Sequence, residues 1–282
     1  MTAKPLPSPT ILPGTGSLPV ILSVPHSGTD YPRWLLSEAR RGRDSLEYLE
    51  DPLVDRLAWR ALARGCGAVV ARAPRAAVDC NRSLQEVDPA VAGTDPGHDP
   101  GPRARGGLGI VPTRSPRDGE LWRSRLGRTE LDRRIEQGWH PYHNALRDGL
   151  EALQRRHCEV LLLDCHSMPG RGPRQPGIVV GDRFGGSAGA WVGDLLRRTA
   201  ERAGFTVAFN DPYAGGWIVE SFGRPEAGIH ALQIELDRGL YLDRSSRKPG
   251  RDFDRVARLL EALVVTLGEA LLDRQALPQA AE

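Results

Sequence analysis

The chain has 282 residues, 40% hydrophobic and 26% charged, an ordinary globular composition with enough apolar surface for a sizeable core. Lysine and arginine total 38 against 36 acids, a net charge of +2, and no basic block gathers in one stretch, so nothing points to nucleic acid. These values exclude a disordered chain, a fibrous repeat and a disulfide-stapled miniprotein, and they suit one large α/β unit or about two domains. Lys4 and Lys248 are the only lysines, leaving 36 arginines, which reflects genomic composition before function.

Residues 1–16 carry no apolar core of a signal peptide and read as a flexible lead-in. With no internal repeat and no linker beyond it, residues 17–282 read as a single domain. Residues 18–24 (LPVILSV) form a buried strand running into Pro25-His26-Ser27-Gly28. Residues 51–64 spell an amphipathic helix, with Asp51 where an N-cap belongs and Pro52 in the first turn. Residues 67–73 are a second strand, which residues 76–82 extend or follow. Residues 85–118 are rich in Gly, Pro, Asp and Arg without periodicity, as in a functional loop or lid.

A helical stretch over 120–157 is interrupted by Gly138 and Pro141. Residues 160–164 (VLLLD) are the clearest buried strand, running straight into Cys165-His166-Ser167. Three more strands, at 177–182, 205–209 and 230–238, alternate with a helix at 188–202, and a helix at 251–273 closes the chain. Alternating strands and helices make an α/β fold, a three-layer sandwich around a mixed, mostly parallel sheet. No uninterrupted apolar window reaches a membrane-spanning length. Cys66, Cys80, Cys158 and Cys165 form no CxxC pair, so they read as thiols of a reducing cytoplasm.

In open α/β sheets, sites gather beyond the carboxyl ends of strands. Here one strand ends at His26, another at His166, a helix opens with Asp51, and Glu235 stands in the apolar run of a third strand. Two histidines, one carboxylate and an open fourth position are what a catalytic zinc needs, and a further carboxylate can move the proton. The competing roles are ordinary: a turn histidine, an edge histidine, a helix cap, and a glutamate paired with Arg238. Asn81-Arg82 after a strand could grip a carboxylate through the arginine fork. His140 and His143 form a second pair on a helical stretch. Ser27, Ser167 and Cys165 each neighbour a histidine, but there is no GxSxG elbow.

The ordered segments VPHSGTDYP, DPLVDRL, VDCNR, HPYHNAL, LLLDCHSMP, NDPYAGGWI and GIHALQIELDRGLYLD resemble the N-formylglutamate amidohydrolase family over about residues 20–245. Asp79-Cys80-Asn81-Arg82 is similar to the aspartoacylase segment that holds a substrate carboxylate, and Asp164-Cys165-His166 to the one carrying a zinc histidine. The resemblance implies a zinc carboxypeptidase-like, phosphorylase/hydrolase-like fold and one zinc ion per chain, with His26 and His166 as ligands and Glu235 as general base. Carboxypeptidase-like enzymes use His-x-x-Glu, but position 29 is Thr29. Muramoyl-alanine amidases take the third ligand from the start of the next helix, where Asp51 stands, with Asp55 second.

Asn81, Arg82, His143, Asn210, Tyr213 and Gly216, beside Gly215, are implied on the substrate side. The implied reaction is cleavage of N-formyl-L-glutamate to formate and glutamate, a step of histidine catabolism, in a cytoplasmic enzyme whose partner is a small molecule and not a membrane. The alternatives are a deformylase or amidase for another small N-acylated acid, a metal-free hydrolase using Ser167 or Cys165, and a binding module that kept the fold.

Overall fold

A strand buried at every position must lie inside a sheet, and Val160–Met168 is buried at all nine. It is the sixth of nine strands in the computed structural model, which describes residues 4–91, 93, 97, 99–170, 172, 174–243 and 246–276. These are β1 (Thr10–Leu12), β2 (Val20–Val24), β3 (Gly67–Val70), β4 (Arg114–Ser115), β5 (Gly119–Glu120), β6 (Val160–Met168), β7 (Ile178–Gly181), β8 (Val207–Phe209) and β9 (Ile229–Asp237). Seven of them form one sheet in the order β1-β3-β2-β6-β9-β7-β8, while β4 and β5 pair with each other. β2 and β9 run parallel to β6, β8 runs parallel to β7, and β7 is antiparallel to β9. The fold is the expected α/β type with a mixed, mostly parallel sheet.

The described residues group into two compact units, one within 1–10, 25–51 and 70–145 and the other within 11–24, 52–69 and 146–282. The second holds β2 and β6 to β9, and its long closing helix Phe253–Ala276 packs on helices Ala190–Arg202 and Trp59–Leu62. In the first, helix Arg128–Arg134 runs into a π-helical turn, Ile135–Trp139, at the expected interruption around Gly138. Arg134 is wholly buried there, paired with Glu38 and Glu130 and sandwiched between the rings of Trp34 and Trp122.

Several expectations need correction. Residues 10–12 of the supposed lead-in form the edge strand β1, and the Leu6 N–H donates to the Gln137 side chain at 3.0 Å. The helix read over 51–64 is two short pieces, Val54–Leu57 and Trp59–Leu62. Leu53, in the left-handed conformation with φ 62°, occupies the N-cap position in place of the expected Asp51. Residues 76–82 form turns, with no strand. The long segment 85–118 contains helix Gly101–Arg105 and β4, and its positions 92, 94–96 and 98 lie outside the described residues.

The parallel register lines up polar side chains on one sheet face. Ser23 faces Asp164 across β2 and β6, Asp164 faces Gln233 across β6 and β9, and His166 faces Glu235. Side chains alternate along each strand, so these five share one face while their apolar neighbours fill the other. On the far side of β9, Gly181 pairs with Gln233. A Cβ at Gly181 would lie 2.4 Å from the Gly215 backbone nitrogen, so only glycine lets the 214–216 loop rest there. Gly181→Ala should therefore cost about 1–3 kcal/mol of stability by overpacking, measured by urea denaturation. A variant as stable as the parent would show that the loop is not held against β7.

Candidate active site

The sheet face carries a chain of buried polar contacts. The Ser23 hydroxyl donates to Asp164 Oδ1 at 2.6 Å, and His166 Nε2 lies 2.8 Å from Asp164 Oδ2. With Nε2–H donating to the carboxylate, the His166 lone pair sits on Nδ1. On β9 the Gln233 amide donates to Glu235 Oε1 at 2.9 Å and accepts from the Gly216 N–H at 2.8 Å. Gln233 thus fixes Glu235 and fastens the glycine loop in one arrangement.

His26 is built differently, from turns. Its Nε2 lies 2.8 Å from Asp79 Oδ1 and its Nδ1 lies 3.2 Å from Asp51 Oδ2, and all three residues are buried. The backbone clamps positions 26 and 51 together: the Asp51 N–H donates to the His26 carbonyl at 2.9 Å, and the Ser27 hydroxyl donates to the Asp51 carbonyl at 3.0 Å. Asp79 is held in turn by Arg75 Nε at 2.8 Å and the Asn81 N–H at 2.8 Å. Burial pushes the Asp79 carboxyl up, but Arg75, His26 and Arg82 outweigh it and hold it well below the usual carboxylate range. The carboxylate is therefore charged and fixes the His26 ring as Asp164 fixes His166.

His26, Asp51 and His166 each offer one ligand atom, and these atoms lie within 4.8 Å of one another. Two imidazoles and a carboxylate, all buried, fit a zinc donor set, and each histidine has a carboxylate behind it, as ligating histidines almost always do. Asp51, rather than Asp55 on the short helix Val54–Leu57, supplies the carboxylate of this group.

The remaining candidates are placed as follows. Arg82 is buried, with Nε donating to the Leu108 carbonyl at 3.0 Å and Nη1 to the Asn81 carbonyl at 3.1 Å, and Glu86 lies 3.8 Å off. Burial lowers its pKa, against the opposing pull of the Asp79 and Glu86 carboxylates. His143 stacks on Trp139 with centroids 3.8 Å apart and approaches the Cys80 carbonyl at 2.8 Å, while His140 is half exposed and pairs with Glu136. The Asn210 amide spans two loops, donating to Asp182 Oδ1 at 2.8 Å and accepting from the Asp182 N–H at 3.2 Å, with Asn210 itself at φ 58°. Tyr213 is half-buried two residues before Gly215. Ser23, Arg75, Asp79, Asp164 and Gln233, which hold the site residues, were not singled out from sequence for this task. Only the i, i+2 spacing of Asp164 and His166, and of Gln233 and Glu235, signalled a shared face.

Comparison with known proteins agrees with this geometry. The N-formylglutamate amidohydrolase family model matches residues 18–242. The chain is 29% identical to an N-formylglutamate deformylase of Pseudomonas putida, over 91% of this chain and 93% of that one, and 27% identical to one of Pseudomonas aeruginosa, over 91% and 94%. A crystal structure of N-formylglutamate amidohydrolase from Ralstonia eutropha JMP134 superposes with a TM-score of 0.87 at 32% identity, covering 95% of this chain and 99% of that chain. The protein is a hydrolase acting on an amide bond. It belongs to the N-formylglutamate amidohydrolase family.

Cys165 does not compete as a nucleophile. It alternates away from His166, its thiol donates to the Leu163 carbonyl at 3.6 Å, and burial, then Asp164, push its pKa well up. Burial also pushes the Cys66 thiol up to about 12. Both shifts favour the protonated thiol, so raising the pH from 7 to 9 leaves it unreactive in the folded protein. A thiol reagent at pH 8 should modify the exposed Cys158 alone and spare activity, the other three reacting only on unfolding. Fast modification of Cys165 in the native protein, with loss of turnover, would contradict this.

Proposed function

We propose that this chain hydrolyses N-formyl-L-glutamate to formate and glutamate, with one zinc ion held by His26, Asp51 and His166. The observation that carries the reading is the convergence of three buried ligand atoms within 4.8 Å, each histidine backed by a carboxylate, in a chain whose relatives are N-formylglutamate deformylases. Zinc bound there would polarise the formyl carbonyl and acidify the attacking water.

The chain's own residues supply the rest. Glu235, held by Gln233, takes a proton from the attacking water and passes it to the departing amine, so the C–N bond breaks without releasing an amide anion. Arg82, whose Nε and Nη1 bond neutral carbonyls and which lies 3.8 Å from Glu86, grips a substrate carboxylate bidentately. Asn81, His143, Asn210, Tyr213 and Gly216 complete the substrate side, with residues 17–282 acting as one catalytic domain of a cytoplasmic enzyme. The step would belong to histidine catabolism.

Metal analysis paired with a panel of N-formyl amino acids tests the whole reading. About one zinc per chain should be found, chelation should abolish hydrolysis, and added zinc should restore it. His166→Ala should lose metal and activity together, and full metal retention would discard the ligand set. Glu235→Gln should keep its zinc while kcat falls on the order of 100- to 10,000-fold; a variant that keeps most of its kcat is not missing its base. Arg82→Ala should raise KM strongly, with Arg82→Lys recovering only part, because lysine restores charge without the fork. Unchanged kinetics in Arg82→Ala would remove that role.

A further inference from the structure

We propose that Ser23 is a positioning residue for the metal centre, acting on His166 through Asp164; the inference rests on the zinc reading of His26, Asp51 and His166. Ser23 is wholly buried in β2, a strand otherwise made of valine, isoleucine and leucine, where a hydroxyl must be hydrogen-bonded to be tolerated. The β2–β6 register sets it directly opposite Asp164, and its hydroxyl donates to Asp164 Oδ1 at 2.6 Å. The other oxygen of the same carboxylate receives His166 Nε2–H at 2.8 Å.

Asp164 is itself wholly buried, and these are the side-chain bonds its carboxylate makes among the described residues. Its two oxygens are thus fixed by one rigid donor on a neighbouring strand and by the imidazole it orients. Rotation about the Asp164 Cβ–Cγ bond would break both contacts at once. Ser23 therefore locks the plane of the carboxylate, the carboxylate locks the tautomer and tilt of the imidazole, and the ring nitrogen that offers its lone pair keeps one direction. Outer partners of ligating histidines are typically worth 10- to 100-fold in metal affinity. A simple structural role, satisfying a buried carboxylate, would cost stability and leave affinity alone.

The test compares Ser23→Thr with Ser23→Val, two side chains of nearly equal shape that differ in the hydroxyl. Zinc affinity is read by competition with a chromophoric chelator, and the Tm of each metal-free protein is recorded beside it. Thr should bind within about threefold of the parent and Val about 10-fold more weakly, at the low end of that range because Ser23 is one bond further out. On an Asp164→Asn background the Thr–Val difference should vanish, because the path runs through Asp164. Equal affinities for Thr and Val, or a difference that survives in Asp164→Asn, would overturn the inference, whatever the Tm values. A parent protein that binds no zinc would instead overturn the zinc reading itself.

Discussion

A carboxylate taken out of water must be given hydrogen-bond donors, and Asp164 is such a group at the middle of the sheet. Its donors come from two directions fixed by strand register, Ser23 on β2 and His166 two residues along β6. Moving β2 by one residue against β6 would turn Ser23 to the opposite face and strip the carboxylate of its hydroxyl partner. The apolar runs of β2, β6 and β9 determine which face is which. The polar residues that interrupt those runs then assemble without further adjustment. Glu235 and Gln233 arrive opposite His166 and Asp164 by the same parallel pairing.

The two histidines reach the same chemical condition by different construction. His166 is oriented from within a strand, by a carboxylate whose side-chain partners among the described residues are Ser23 and His166 itself. His26 is oriented from a turn by Asp79, whose charge is sustained by Arg75 at 2.8 Å and by a backbone N–H. A strand is stiff enough to hold a histidine with neutral help. A loop needs the stronger, charged contact. Neither arrangement is an economical source of stability, since buried charges cost desolvation that their partners only repay. Their concentration around His26, Asp51 and His166, three side chains that could hold a metal, is the mark of a site held in place for chemistry.

Much of this was legible in the sequence, and the misses have physical causes. Residues 160–164 declared themselves as a buried strand through their apolar run, and His166 was read from its end, although the strand runs on to Met168 and holds His166 within it; Glu235 followed from alternation along its strand. Asp51 was legible as a carboxylate near a helix start, but its work was not: the chain turns left-handed at Leu53, the helix begins later, and the side chain pairs with His26. Leu53 is not a residue that announces a positive φ, so nothing local signalled the break. Ser23 could not be read as a partner of Asp164, because 141 residues separate them and only the strand order brings them together. Asp79 was quoted within its motif, yet its bond to His26 depends on the turns of 76–82, which looked like an extension of β3.

The central claim is that a zinc ion is held by two imidazoles and one carboxylate, each imidazole aimed by its own aspartate. Anomalous diffraction from crystals of the zinc-loaded protein, collected on both sides of the zinc absorption edge, tests it directly. The account predicts one edge-dependent peak per chain at about 2.0–2.2 Å from a nitrogen of His26, a nitrogen of His166 and an oxygen of Asp51, with Asp79 and Asp164 still bonded to the opposite ring nitrogens. A peak ligated by other residues, or one in which either histidine has turned away from its aspartate, would contradict it.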